Sequence, residues 1–563
     1  MTFNDFKYER PDVDALKKRL ETLINRLGDE TSFEQEKDAI NQLLKEKDHY
    51  ETMDTLASIR NSVNTKDAFY EAEKAFFDNV NPELQAYDHK FKKALLESKH
   101  IDKLKAVFGD LMFDQAEREL KTFDESIIPL LQEENSLSTQ YQKLLASAEI
   151  EFEGEIRNLS QMSPFLQHKD RTIRHDAQLA VSSFLEQNET EIDAIYDKMV
   201  SLRHKIAKAL GYDNFIQLGY DRLGRLDYGP KDVETYRKQI LEDVVPLVAE
   251  LTKRQADRIG IEELKSWDLG FKFKSGNPTP KGDRAWQVAQ AKDMYNQMSD
   301  ETSEFFNFML DNELLELDSK PGKAGGGYCT FISDYKAPYI FANFNGTSHD
   351  VDVLTHEAGH AFQIFQSRDL ISPYRWPTFE AAEIHSMSME FLAWPWIDKF
   401  FVDDTEKYKF QHLAGAVSFL PYGALVDHFQ HEVYTNPEMT PDERKDTWRK
   451  LEKQYLSYKD YGDDDFLEKG TYWFRQGHIF GMPFYYIDYT LAQVLAFQYF
   501  NLSRDNHDNA FKNYLALCQL GGSKSFVELI HSANLKNPFK EGTIKKVIKP
   551  IKNYLNGIDD TKL

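Results

Sequence analysis

The run His356-Glu357-Ala358-Gly359-His360 sets two imidazoles four residues apart with a carboxylate next to the first. On an α-helix, positions i and i+4 differ by roughly 40° in azimuth and about 6 Å along the axis. Two imidazoles placed so can close on one tetrahedral metal ion. Glu357 then stands beside the open coordination position, where a general base is needed to activate water. The same five residues also fit a buried helix with two hydrogen-bonded histidines, so the motif needs a third ligand.

The neighbouring residues predict that helix. Val351, Val353, Leu354, Ala358, Ala361, Phe362, Ile364 and Phe365 are apolar on most sides of the wheel, with Ser348 or Asp350 as cap. Just before it, Tyr339 to Phe344 (YIFANF) has strand composition. A strand there could accept an extended peptide by backbone hydrogen bonding, or serve structure alone. Lys320 to Tyr328 (KPGKAGGGY) is read as a mobile loop near Gly325, since the phosphate-loop spacing is absent.

A third ligand must come from further along, and TFEAAEIHSMSMEFLAW offers Glu380, Glu383 and Glu390. Read as a helix, it places Glu383 and Glu390, seven apart, on one face, with Glu380 a turn earlier. Spacing alone does not choose among them. His385 points away from that face and reads as a packed structural residue. Later, Phe474 to Tyr499 begins loop-like, with Gly477, Gly481 and Pro483 setting His478 on a turn. It becomes helical from Phe484, with Tyr485 and Tyr489 on one face. Hydroxyl and imidazole donors suit an oxyanion without competing as ligands; an aromatic helix start is also common core packing.

The 563 residues allow two to four domains or one large body with lobes. At 41% hydrophobic and 13% aromatic the chain is globular. Its net charge of −24 repels phosphate backbones, which argues against a nucleic-acid partner. Cys329 and Cys518 are too few for a disulfide framework and point to a reducing compartment. The N-terminus has no apolar signal region and no run is long enough to cross a membrane, so a cytoplasmic location is expected.

From Pro11 to about Leu210 helix follows helix. Leu16, Leu20, Leu23 and Leu27 form one stripe, with Gly28 expected as C-cap; Ser32 and Gln35 form a capping box; Asn81-Pro82 is expected to start another helix. Glu149 to Ile156 (EIEFEGEI) alternates as a short strand or hairpin, and Ile206 to Gly219 reads as helix, turn, helix, with Gly211 ending the first helix. A long helix is expected from Pro230 to about Gly260, then an extended, turn-rich connection from Trp267 to Pro280. The expected division is an N-terminal helical lobe, 1–205, and a catalytic region, 206–563.

Together, the HEAGH helix, the preceding PYIFANFNGTSHDVDVLTHE, the E-x-x-S-x-x-x-E of EIHSMSME and the later GHIFGMPFYYIDY resemble the thimet oligopeptidase and oligoendopeptidase F family of zinc metallopeptidases. Within it they are most similar to Pz-peptidase-type oligoendopeptidases. The likeness is strong over Gly325–Phe391 and Phe474–Tyr499 and weaker near ALGYDNF and LGGSKSFVELIHSA. One departure is Ala358, where family members often carry Phe or Thr; it affects packing, not ligation.

The resemblance implies one Zn²⁺ per chain, held by His356, His360 and Glu383, with Glu390 orienting a ligating imidazole. Glu357 would be the general base. His478 and a tyrosine would stabilise the oxyanion, Tyr489 first, with Tyr485 and Tyr486 as alternatives. It implies a mainly α, zincin-type fold with a small β-element beside the zinc helix and a deep channel between two lobes. The implied activity is cleavage of internal bonds in short peptides, with Pro- and Gly-containing, collagen-derived substrates suggested by the Pz-peptidase likeness alone. Two rivals fit the same residues: a metallocarboxypeptidase or dipeptidyl peptidase, and a non-enzymatic helical peptide-binding protein.

Overall fold

Helices dominate the computed structural model, which describes residues 1–28, 31–320 and 322–563. The expected N-terminal stripe is buried: Leu16, Leu20, Leu23 and Leu27 face the core, and Asp12 caps Val13–Asn25 by accepting from the Ala15 N–H at 3.0 Å. Gly28 is not the C-cap. The helix ends at Asn25 with Arg26 capping it, and the Gly28 carbonyl instead accepts from the Thr31 hydroxyl. The Ser32–Gln35 capping box opens Phe33–Val63 as expected.

The helix expected to start at Asn81-Pro82 is already under way there, running from Ala68 to Leu96. Asn81 is spent across the helix pair rather than as a cap: its Oδ1 accepts from Tyr50 and its Nδ2 donates to Asp54. The alternating segment forms a hairpin of β1 (Ile150–Phe152) and β2 (Glu155–Arg157). Its two turn residues, Glu153 and Gly154, both take positive φ, the geometry that matches strand twist. The helix from Pro230 reaches Ile259 and ends on left-handed Gly260, but a π-turn at Ile240–Val244 interrupts it. The interruption falls beside Pro246, whose missing N–H cannot complete the ladder.

A three-stranded sheet has the order β3 (Leu315–Asp318), β5 (Ala337–Phe344), β4 (Tyr328–Ile332). β5 pairs parallel with β3 and antiparallel with β4. The predicted strand is therefore the central one, with both edges taken, and a peptide has no edge of β5 to join. The sheet's two outer edges belong to β3 and β4. Pro321, in the glycine-rich stretch before β4, lies outside the described residues.

β5 leads through a short turn into the helix His349–Ser367, here the motif helix. Neither expected cap acts as one. Asp350 reaches back and accepts N–H bonds from Asn345 and Gly346, both at 2.8 Å, which pins the strand-to-helix turn. Ser348 makes no side-chain cap and accepts instead from Gln411. Two further helices complete the core around it: Phe379–Leu392, the Glu383 helix, and Tyr486–Asp505, the aromatic helix. Among the described residues no helix is long and apolar enough to cross a membrane.

Candidate active site and metal centre

Gly359 sets how closely the motif helix meets the Glu383 helix. A Cβ at that position would sit 2.6 Å from the His385 carbonyl oxygen and 2.6 Å from Ser386 Cα, closer than side chains tolerate. With only hydrogen there, the two backbones come together and Glu383 faces both histidines. Its Oε2 lies 3.3 Å from His356 Nε2 and 3.3 Å from His360 Nε2. The three ligand atoms lie within 4.8 Å of one another. A tetrahedral zinc with bonds of about 2.0–2.2 Å holds its ligand atoms about 3.4 Å apart, so this donor set fits such an ion in spacing and in kind.

The electrostatics agree with shared positive charge at this point. Burial alone would raise the Glu383 carboxyl; His360 and His356 outweigh it and hold it well below the usual range. Two donors fix its orientation: Ser386 Oγ on Oε2 at 2.8 Å and Tyr485 O–H on Oε1 at 2.9 Å. Glu380, one turn earlier, is buried beside Arg225, and is not in the metal-competent group. His385 points elsewhere as expected, its Nδ1 3.4 Å from Cys518 Sγ. Burial drives it down to about 3, so it is neutral. Both cysteines are free thiols.

Glu390 bridges two imidazoles. Its Oε1 accepts from His356 Nδ1 at 2.7 Å and its Oε2 from His412 Nε2 at 2.7 Å. Burial opposes its ionisation, but these two bonds bring it down to about 2. A proton on His356 Nδ1 leaves the Nε2 lone pair facing Glu383 and the other histidine. Trp394 Nε1, which can only donate, contacts His412 Nδ1 at 3.0 Å, so His412 presents its Nε2–H to Glu390.

Glu357 and His356 line one wall of a cleft of 680 Å³. Burial raises the Glu357 carboxyl, opposed by His356 and His360. Gly327, just before β4, leaves space beside it: a Cβ there would come within 3.7 Å of Glu357 Oε1.

The second half of the site comes from the segment before the aromatic helix. The loop expected around His478 is a short helical turn, Gly477–Gly481. The His478 ring centre lies 5.6 Å from that of Tyr485, 5.0 Å from Tyr486 and 5.7 Å from Tyr489. Gln476 Oε1 accepts from Tyr422 at 2.7 Å, which turns its amide N–H toward His478 Nδ1 at 2.8 Å. His478 therefore carries its proton on Nε2. Burial lowers its basicity, opposed by Glu383, so it is a neutral donor. Tyr485 spends its proton on Glu383, and the Tyr489 ring lies 5.0 Å from that of Tyr485.

The structure thus brings together His356, Glu357, His360, Glu383, Glu390, His478 and the three tyrosines. Sequence reasoning missed His412, Gln476 and the packing role of Gly359. Gln476 was open to discovery, two residues from His478. His412 carries no spacing signal, because its partner Glu390 is 22 positions away and meets it only through folding.

PZ peptidase A, solved with an inhibitor, has the same fold at a TM-score of 0.96 and 47% identity, with 100% of both chains covered. Oligoendopeptidase F from Enterococcus faecium matches in fold at a TM-score of 0.65 and 17% identity, covering 98% of each chain. The oligoendopeptidase F homolog of Borreliella burgdorferi is 23% identical over 505 residues, 85% of this chain and 78% of its own. Residues 3–123 match the profile described as Peptidase M3 N-terminal domain, and residues 165–547 match Peptidase family M3. The matched span takes in the motif helix, the Glu383 helix and the His478 turn, and so the chain belongs to peptidase family M3, as an oligopeptide-cleaving metalloendopeptidase.

Proposed function

We propose that His356, His360 and Glu383 hold one zinc ion and that the chain uses it to cut internal bonds of short peptides, Pro- and Gly-containing, collagen-derived ones among them. The observation that carries this reading is the meeting of the three donors at 3.3 Å beside Glu357, on the wall of a 680 Å³ cleft. When bound, the ion supplies Lewis-acid polarisation of the scissile carbonyl and acidifies a water. Glu357 takes one proton from the attacking water as its oxygen bonds to the carbonyl carbon. The same carboxyl returns that proton to the amide nitrogen as the C–N bond breaks.

His478 Nε2–H and the Tyr489 hydroxyl donate to the carbonyl oxygen as it gains charge. Tyr489 is preferred over Tyr485 because the latter is committed to Glu383. Glu390 keeps His356 in the ligating tautomer. The outer edge of β4, which follows Gly327 beside Glu357, would offer backbone groups to an extended substrate.

The test is Glu357→Gln. It should retain zinc and lose peptidase turnover by several orders of magnitude (about 10³-fold or more). Substantial turnover in the metal-replete variant would remove Glu357 from the role of base. We further propose that 1–205 forms one wall of the channel and 206–563 the catalytic body. Supporting contacts are Tyr141, which donates to the Phe474 carbonyl, and Arg203, which reaches the Phe480 carbonyl. A cytoplasmic location is the reading that the two free thiols support.

A further inference from the structure

Lys272 lies on the wall of the same cleft as His356 and Glu357, in the turn-rich connection between Trp267 and Pro280. Asn277 braces that connection. Its Oδ1 accepts the Lys272 backbone N–H at 2.9 Å, while its Nδ2 donates to the Gly270 carbonyl at 3.0 Å and to Gln167 at 3.1 Å. The side chain is positioned, yet its charge has no counterpart. Among the described residues no carboxylate pairs with this ammonium, and its one hydrogen bond goes to Gln255 Oε1 at 3.2 Å. Two of its three N–H groups remain to be used.

The neighbouring cation does not help. Arg258 is already paired with Asp560 and donates to the Lys272 carbonyl. Burial, with Arg258 adding to it, brings Lys272 down to about 8. Of the three acids on the cleft wall, Glu390 is held by two histidines, Asp352 by the Tyr408 hydroxyl at 2.6 Å, and Glu357 stands beside the metal donors; none of them pairs with Lys272. In a chain with 93 acidic against 69 basic residues, a half-buried lysine on the wall of this cleft with no acid paired to it can take an anion.

We propose that Lys272 is the specificity-determining residue that binds a carboxylate of the peptide substrate, its C-terminal carboxylate in the first place. That group is the one anion every linear peptide carries, and an ammonium in the same cleft as the metal-competent group would fix how the substrate's end lies relative to the bond being cut. It would also favour short peptides, whose terminus is never far from the cut. This deepens the proposed function and rests on it.

The test uses the zinc-loaded wild type and Lys272→Met, which keeps the apolar stem, with zinc content and melting temperature measured for both. Four matched quenched peptides are compared: a free acid, its amide, and amides bearing Glu or Gln near the C-terminal end. The wild type should prefer the free acid over its amide by about 10- to 100-fold in kcat/KM, and Lys272→Met should lose that preference mainly through KM. A preference for the Glu amide over the Gln amide, lost in the variant, would support the same subsite with a side-chain carboxylate as its ligand. Equal discrimination by wild type and variant, or none by either, overturns the proposal. A wild type that cleaves none of the four overturns the peptidase reading beneath it instead, a distinguishable result.

Discussion

Replacing Gly359 by alanine asks whether helix contact, rather than the motif alone, builds the metal centre. The added Cβ would meet the His385 carbonyl oxygen and Ser386 Cα at 2.6 Å, and Met389 Cβ at 3.0 Å. Two of these three atoms are backbone, so no side chain can swing aside. Restoring ordinary contact near 3.4 Å requires the Glu383 helix to retreat by about 0.8 Å. Glu383 lies one turn from the contact, and metal–ligand distances tolerate only about 0.2 Å. Zinc affinity should therefore fall about 10- to 100-fold, the range seen when an orienting partner is lost. Overpacking costs about 1–3 kcal/mol, offset by about 0.5–1 kcal/mol from removing a mid-helix glycine. The net loss in stability should be between about 0 and 2.5 kcal/mol, small enough for a folded protein. Chelator competition at 25 °C measures the affinity, a thermal melt the stability, and a quenched peptide the turnover. A Gly359→Ala protein with zinc affinity within about twofold of wild type and unchanged kcat/KM would refute the reasoning.

Glu383→Ala should lower zinc affinity by about 100-fold or more, whereas Glu380→Ala should leave it unchanged; the reverse result in the same competition assay would exchange their roles. Tyr489→Phe should reduce kcat by about 10²–10³ with zinc content intact, while Tyr485→Phe should instead weaken zinc binding because Glu383 loses a donor. For free-acid peptides kcat/KM should fall as pH rises through about 8. The sign follows from Lys272, which is charged below that value and neutral above it, so a carboxylate loses its partner on the alkaline side. The same alkaline limb persisting in Lys272→Met would exclude Lys272 as its source.

The motif helix was legible because its evidence is local. Eight apolar neighbours and a four-residue histidine spacing are all within one segment, and the structure gives a buried helix there. Capping was less legible, since a polar side chain near a helix start has several possible partners. Asp350 chose the preceding turn, and Asn81 chose Tyr50 and Asp54 on a facing helix. The place of the strand in its sheet was not readable at all. Tyr339 to Phe344 has the same composition whether it lies at an edge or between β3 and β4, and only long-range pairing decides. Choosing Glu383 over Glu380 likewise depends on where two helices touch, which spacing within one of them does not contain.

The oxyanion half of the site is held from behind by residues remote in sequence. Phe484, just ahead of the aromatic helix, has φ of 67°, a conformation that costs a bulky L-residue about 1–2 kcal/mol. Three contacts hold it there: Gln430 Oε1 accepts its N–H at 2.9 Å, Arg225 donates to its carbonyl at 2.6 Å, and its ring is buried against Tyr220 and His431. Arg225 also pairs with Asp488 at 2.6 Å, beside Tyr489, with both side chains fully buried. Arg203, from the helix Glu189–Ala209, binds the Phe480 carbonyl and the Tyr434 hydroxyl, and so fixes the turn that carries His478. A guanidinium with several buried acceptors is rigid in a way that a loop is not. The aim of His478 and Tyr489 is thus set by arginines from residues 203–225 rather than by their own neighbours. Loss of Arg225 would release Phe484 toward relaxed φ and rotate the start of the aromatic helix, so kcat should suffer while the three metal donors, mounted on the other two helices, stay in place.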